Sequence, residues 1–183
     1  TARKVICTAP APQTATLVAD DFHDLAATAS FAAYAPCLTV MLGLADDEVL
    51  PKIPVKSPKH NIGWAVSETA RPAATQHRPA LTIQADAAWS AAHKDDTTDN
   101  IIKQLIEKYQ MSTGRQIGEV LHAHVHCWLY AKVTTPSPVG SIICQKNLAI
   151  AGDWLGGARI ENAFTSGQRA FIALHQTHAR PSI

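Results

Sequence analysis

The stretch from residue 147 to residue 176 constrains the fold of this chain more than any other. It reads NLAIA, then GDWLGG, then ARIENAFTSGQRAFIALHQ, so a short apolar strand pattern meets glycines and then a helical pattern. The first amides of a helix have no intrahelical acceptor and lie at its positive dipole end, where they attract anionic or dipolar ligands. The segment therefore predicts a ligand-facing junction between a strand and a helix. The pattern alone is weak, and glycines that merely allow the chain to turn are the alternative.

Within this junction, each residue type has a specific use. Gly152 lets the backbone turn tightly after the strand. Asp153 follows the carboxyl end of that strand, where open α/β sheets bind ligands, and its carboxylate can accept hydrogen bonds from ligand hydroxyls. Gly156 and Gly157 carry no side chains, so a flat ligand can approach the backbone. The helix is predicted to begin near Arg159, which completes a candidate binding loop.

The segment EVLHAHVHCWLYAK, residues 119 to 132, alternates with the period of a β-strand. One face carries His122, His124, His126, Trp128 and Tyr130, and the other carries Leu121, Ala123, Val125, Cys127 and Leu129. We expect the apolar face to pack against a core and the histidine face to line a cavity. The outer two histidines would lie about 13 Å apart, too far to share one metal ion, so no metal site is predicted.

The remaining patterns indicate an α+β or α/β fold with a mixed sheet. Strands are predicted at KVICT, at CLTVMLGLA (37–45), at IGWAVSET (62–69) and at LTIQAD (81–86). Residues 13 to 29 read as one helix or two short ones, and residues 46 to 61 as a loop with at most a short strand. A further helix carries an apolar stripe of Ile101, Ile102, Leu105 and Ile106, with Thr98 or Asp99 as its N-cap.

Composition excludes several classes of protein. The 183 residues carry a formal net charge of +1, which argues against a nucleic-acid partner. We find no apolar run long enough to cross a membrane. The four cysteines form no C-x-x-C pair, and buried reduced thiols in a cytoplasmic protein are the favoured interpretation.

The longer pattern GDWLGGARIENAFTSGQRA closely resembles the C-terminal FAD-binding signature of the flavin amine oxidase superfamily, and within it the renalase-like FAD/NAD(P)-dependent oxidoreductases. Other segments resemble family segments in the same order: KVICTAPAPQ, YAPCLTVMLGL, SPKHNIGWAVSETARPA and ADAAWSAAHKDD. HCWLYA is similar to the family's HRWRYA, although Cys127 and Leu129 stand where that motif has arginines. The resemblance spans nearly all of the chain.

The resemblance implies an α+β fold with an α/β remnant, in which a mixed-sheet substrate domain accompanies the last strand and helix of a Rossmann-like FAD-binding domain. The expected segments are 1–30 (re-entry into the FAD domain), 31–146 (substrate domain) and 147–183 (C-terminal strand and helix of the FAD domain). FAD would contact Gly152, Asp153, Gly156, Gly157, Arg159 and Ile160, the last two through backbone at the helix start. His126, Trp128 and Tyr130 would border the substrate as the candidate catalytic residues.

The family's N-terminal GxGxxG loop has no counterpart in this sequence. The chain therefore resembles the C-terminal portion of an FAD-dependent oxidoreductase that oxidises a small amine or a reduced nicotinamide-type compound by hydride transfer. Its missing N-terminal half would act in cis or in trans. An exposed sheet edge can also pair with a second copy of the chain, so a homodimer is a further alternative. We expect weak or no FAD binding and no turnover by the isolated chain. A non-catalytic α+β module that binds a small molecule or a partner chain, and one half of a split flavoenzyme, are the alternatives.

Overall fold

The computed structural model describes residues 2–45, 49–68, 78–138, 143–145 and 147–176 and has the predicted α+β fold. The chain divides into two compact units, one formed by Thr1–Tyr34 with Lys132–Ile183 and the other by Ala35–Ala131. This division lies near residues 34 and 131, whereas the sequence-based domain boundaries lie near residues 30 and 146. Those domain assignments stay a prediction.

The first unit contains a three-stranded sheet in the order β1-β8-β7. Its strands are β1 (Val5–Cys7), β7 (Ile143–Gln145) and β8 (Leu148–Ile150). β1 lies parallel to β8, and β7 pairs antiparallel with β8. KVICT and NLAIA are thus confirmed as strands, whereas β7 was not predicted.

Helices pack against both faces of this sheet. Alternate residues of β8 point to opposite faces, so each face presents buried apolar residues to a different set of helices. On one side, Ile150 lies in a buried cluster with residues of α1 (Ala11–Val18) and α2 (His23–Ser30), so the second reading of residues 13 to 29, two short helices, is correct. On the other side, Ala149 packs with Ala170 and Leu174 of α5 (Ile160–Gln176). The final helix is therefore confirmed.

The second unit contains a five-stranded sheet in the order β3-β4-β5-β2-β6. The strands are β2 (Ala33–Leu44), β3 (Val55–Ser57), β4 (Ile62–Ser67), β5 (Ala80–Ala85) and β6 (Val120–Thr135). β5 pairs antiparallel with both β4 and β2, and the Ala45 amide donates to the Glu119 carbonyl where β2 meets β6. The predicted strands are present, and β3 is the short strand expected in the loop.

One face of this sheet is buried against α3 (Ala87–His93) and α4 (Thr98–Thr113). The core contains Leu38, Val40, Leu42 and Ile83 from the strands, with Ile101, Leu105 and Tyr109 from α4. The N-cap of α4 is Thr97, whose hydroxyl accepts from the Asn100 amide, so the predicted caps Thr98 and Asp99 lie one or two residues too late. Gly114 ends the helix in the left-handed conformation.

No helix in the part of the chain that the structure describes is long and apolar enough to span a bilayer.

Candidate functional site

The loop after β8 is shaped by a close contact between Gly152 and Trp154. A Cβ atom on Gly152 would lie 2.7 Å from both Cδ1 and Nε1 of the Trp154 ring. The ring cannot move away easily, since it is buried and its Nε1 donates to the Ala9 carbonyl at 3.3 Å. The Gly152 amide in turn donates to the buried Ser166 hydroxyl at 3.0 Å. Packing against the Trp154 ring therefore requires glycine here, whereas the predicted need for a tight backbone turn is not seen, because φ at Gly152 is 162°, an extended value that any residue adopts.

The next residues form a single turn of 3-10 helix, Asp153–Leu155, that the sequence did not predict. The Asp153 carbonyl accepts from the amides of Gly156 at 3.0 Å and Gly157 at 2.7 Å. Gly157 has a φ of 104°, which L-residues rarely adopt, and its own carbonyl accepts from the Arg159 amide at 2.7 Å. The two glycines therefore form a tight loop directly before α5.

Asn162 holds this loop and was missed by the sequence analysis. Its side-chain amide donates to the carbonyls of Gly156 at 2.8 Å and Gly157 at 3.0 Å. Asn at a position inside the first turn of a helix often bonds to nearby backbone, but the sequence alone does not show which carbonyls it reaches. The contact orients the loop relative to the start of α5.

The first turn of α5 presents open donors. The amides of Asn162 and Ala163 donate to the Arg159 carbonyl at 3.1 and 3.2 Å, whereas those of Ile160 and Glu161 have no acceptor among the residues that the structure describes. The side chains of Arg159 and Ile160 are exposed, and Asp153 is half-buried. The six residues predicted to bind a cofactor thus lie in one loop and in the helix start that directly follows it.

The predicted substrate residues lie on β6 in the second unit. His126, Trp128 and Tyr130 are exposed, and the His126 and Trp128 rings meet edge to face with centroids 4.2 Å apart. On the opposite face of the strand, Ala123, Val125 and Cys127 pack against the core of the unit as expected. The alternation is therefore confirmed in the middle of the strand.

The prediction that Leu121 and Leu129 share this buried face is wrong. Their side chains are 57% and 52% exposed. β6 is an edge strand, and its residues packed against this core are Val120, Ala123, Val125 and Cys127, without Leu121 or Leu129. Period-two alternation assigns a side chain to a face, but it does not show where along the strand that face is covered.

Two thiols in the second unit are perturbed. Burial raises the pKa of the Cys37 thiol, while a hydrogen bond with Thr39 lowers it in part. The Cys37 Sγ lies 3.7 Å from the Thr39 hydroxyl oxygen. Burial also raises the pKa of the Cys127 thiol. Cys7, Cys37 and Cys127 are half-buried free thiols, and the side chain of Cys144 lies outside the described residues.

Among the described residues, no group of three or more His, Cys, Asp or Glu side chains is placed to hold a metal ion. The three histidines of β6 are exposed along the strand and form no chelating cluster with other such side chains in that part of the chain.

Comparison with solved structures shows the fold. The chain is similar to cyclohexylamine oxidase from Brevibacterium oxydans IH-35A, with a TM-score of 0.70 and 13% identity, covering 98% of this chain and 44% of that one. A protein assigned as a protoporphyrinogen oxidase from Exiguobacterium sp. 255-15 gives a TM-score of 0.67 at 11% identity, covering 94% of this chain and 41% of that one. The FAD-dependent oxidoreductase PA4991 from Pseudomonas aeruginosa gives 0.54 at 14% identity, covering 99% and 47%.

These similarities define the class of fold: the chain folds like one part of the FAD-dependent oxidoreductases and amine oxidases that it matches. It spans less than half the length of these proteins. No protein-family model matches the chain.

Proposed function

We propose that this chain is the C-terminal part of an FAD-dependent oxidoreductase of the renalase-like group, which oxidises a small amine or a reduced nicotinamide-type compound by hydride transfer. The observation that supports this best is the loop at 152–157 held against the start of α5, with open amides at Ile160 and Glu161 among the described residues. The fold shared with solved FAD-dependent oxidoreductases supports the same proposal.

The residues present fit a flavin. Gly156 and Gly157 leave the backbone accessible, and the Asn162 side chain fixes both of their carbonyls, so the loop does not need to reorganise around a ligand. The open amides of α5 are suited to carbonyl oxygens and to an electron-rich ring edge. The half-buried Asp153 carboxylate can accept hydrogen bonds from hydroxyl groups such as those of the ribityl chain.

Bound FAD would supply the hydride acceptor. The residues of this chain would hold and orient the flavin. The α5 amides would stabilise negative charge beside the helix start, and Asp153 would fix hydroxyl groups. On β6, Trp128 and Tyr130 offer flat surfaces against which a small substrate can pack, and the His126 ring can accept or donate a hydrogen bond.

We further propose that an N-terminal half, in cis or in trans, completes the first unit. β1 is the terminal strand of its sheet and, within the described residues, pairs only with β8. Val5 and Ile6 point to opposite faces and are 47% and 38% exposed. Parallel strands are normally covered on both faces, so this edge and the exposed side of α5 are suited to a further strand and helix. A second copy of the chain is the competing occupant.

The test is the visible flavin band after desalting, measured for the isolated chain and for the complete product of its gene, each incubated with FAD. We expect the isolated chain to be colourless, and the complete product to retain flavin that cyclohexylamine or NADH bleaches without oxygen. A complete product that binds no FAD would refute the proposal. Bound flavin that no amine or nicotinamide compound reduces would refute the substrate class alone.

The alternative function is a non-catalytic module that binds its ligand through His126, Trp128 and Tyr130. The exposure of these three side chains is the observation that favours it. It predicts ligand or partner binding by a complete product without affinity for FAD, so the same desalting experiment separates the two functions.

A further inference from the structure

The two edges of the five-stranded sheet differ in how they are protected from a further strand. The edge strand β3 has only three residues, one of them Lys56, and a proline lies on each side of it. Short length, lysine and proline are features that normally prevent edge-to-edge pairing of sheets. The opposite edge strand, β6, is long and has no proline and no Lys, Arg, Asp or Glu before Lys132. We call its residues 120–130, which belong to the second unit, the open edge.

Within the described residues, only one side of the open edge is paired, since the strand order places β6 beside β2 alone. Alternate residues of an edge strand direct their amide and carbonyl groups away from the neighbouring strand, so a stretch of this length offers about ten such groups to a partner. On one face of the strand, Leu121 and Leu129 are largely exposed, although Ala123, Val125 and Cys127 between them pack against the core. The open edge therefore combines backbone groups and two apolar side chains that a further strand would cover.

The sequence of the open edge is nearly symmetric about Val125. Positions equally far from Val125 carry residues of similar type, namely Leu121 and Leu129, the flat rings of His122 and Trp128, the small Ala123 and Cys127, and His124 and His126. A two-fold axis between identical antiparallel strands brings such positions opposite each other. With the axis at Val125, each exposed leucine of one copy lies opposite an exposed leucine of the other. This symmetry favours a second copy over an unrelated strand.

We propose that the open edge pairs with the open edge of a second copy of this chain, antiparallel and centred on Val125. On the core face, two pairs of Leu121 with Leu129 leave water, and the smaller side chains of Ala123 and Cys127 meet between them. On the other face, imidazole and indole rings become cross-strand neighbours, which stabilises strand pairs. No lysine, arginine or carboxylate lies opposite a like charge in this register. The pairing needs no flavin and does not rest on the proposed oxidoreductase.

The size of the contact sets its expected strength. The paired stretch is about 37 Å long and about 10 Å deep, so each copy buries about 400 Å², roughly half the area of a standard interface. About ten backbone hydrogen bonds form across it, which is the number in a typical interface. We therefore expect a weak dimer, with a dissociation constant in the range of about 10–500 µM.

The experiment measures the mass of the chain, and of the complete product of its gene, by sedimentation equilibrium at about 5–1,000 µM. We expect both to show a monomer–dimer equilibrium. Leu121→Lys and Leu129→Glu each place a charge opposite a leucine at two symmetric positions, so each should weaken the dimer about tenfold or more. In the double variant, the introduced lysine lies opposite the introduced glutamate of the other copy, and the dissociation constant should return to within about threefold of the parent value. The control Met111→Lys, at an exposed side chain of α4, should leave it unchanged.

The rescue by the double variant identifies the register. The two substituted positions lie about 27 Å apart along one strand, so their charges can meet only across the axis. Both replaced side chains are exposed and make no core contact, and far-UV circular dichroism checks that each variant keeps the fold. A chain that is monomeric at every concentration, single variants that dimerise like the parent, or a double variant without rescue would overturn the proposal.

Two other occupants of a sheet edge give different results. A dimer that Val5→Lys weakens and the β6 variants do not would lie at β1 and would overturn the proposal. So would a monomeric complete product, because another segment of that protein would then occupy the open edge.

Discussion

Replacing Gly152 by Ala tests whether packing, rather than backbone freedom, requires the glycine after β8. Its φ of 162° is an extended conformation that any residue adopts, so the backbone itself does not exclude Ala. The added Cβ would instead lie 2.7 Å from two atoms of the Trp154 ring, which is only 1% exposed. Overpacking of this kind lowers the free energy of unfolding by about 1–3 kcal/mol.

Gly167→Ala is the matched control, because nothing lies within 4 Å of the Cβ it would add. Within α5, Ala in place of Gly is expected to raise the free energy of unfolding by about 0.5–1 kcal/mol. Urea unfolding gives both values, and hydrogen exchange of peptides from residues 147–176 and 98–113 assigns the change to one unit. The same substitution in a Trp154→Leu background isolates the ring contact, and we expect a coupling of about 1 kcal/mol. If Gly152→Ala is as stable as the parent, or costs the same without the ring, the packing argument is wrong.

Three further predictions concern the loop, the core and the thiols. Asn162→Ala removes two hydrogen bonds to the glycine carbonyls and should lower the free energy of unfolding by about 1–3 kcal/mol, with faster hydrogen exchange at residues 153–163. Asn100→Ala, which removes one exposed bond to Asp96, should change it by less than about 0.5 kcal/mol, and equal effects would contradict the role of Asn162. Leu105→Ala should lower the free energy of unfolding, measured in urea, by about 2–5 kcal/mol. Met111→Ala, at a side chain that is 61% exposed, should lower it by less than about 0.5 kcal/mol. Similar losses in the two variants would show that Leu105 is not part of the core. Burial raises the pKa of Cys37 above its unfolded value, so the free energy of unfolding should fall as pH rises past about 8.5, and it should fall less in Cys37→Ala. The rate of alkylation of native Cys37, followed by peptide mass spectrometry, should keep increasing above that pH. An alkylation rate that levels off near pH 8.5 would contradict the raised pKa.

The sequence predicts elements well where periodicity is long and uninterrupted. The alternation of β6 and the stripe of α4 each continue over many residues, and both assign the buried side chains correctly in the middle of the element. β7 was missed because its three residues are strand only by pairing with β8, and a single sequence does not show that pairing. Thr97 was missed as the cap because Thr98 and Asp99 are equally suitable residue types.

The residues of the candidate site were chosen from the sequence, and they stay a prediction, whereas the contacts that support their loop came only from the structure. The glycines and Asp153 mark the loop because their residue types are unusual after a strand. The Trp154 ring against Gly152 and the Asn162 side chain on the loop carbonyls depend on three-dimensional contacts that no spacing rule contains. Sequence reasoning therefore marked the candidate loop residues but not the side chains that hold the loop in place.

α5 carries the exposed apolar surface that best supports the proposed partner of the first unit. Ser166, Ala170 and Leu174 are the buried residues of this helix and face its own sheet, as a single apolar stripe would. Yet Phe164, Phe171 and Ile172 remain 67%, 56% and 49% exposed and line a surface groove with Ala163 and Gly167. A surface helix of a complete domain normally has one apolar face and one polar face. The small residues of α5 are thus divided between two faces: Ser166 and Ala170 are buried, whereas Ala163 and Gly167 line the groove, and the described residues cover only the first face. Val5 and Ile6 on β1 are likewise exposed, so the strand edge and the helix face both support the strand-and-helix partner proposed above.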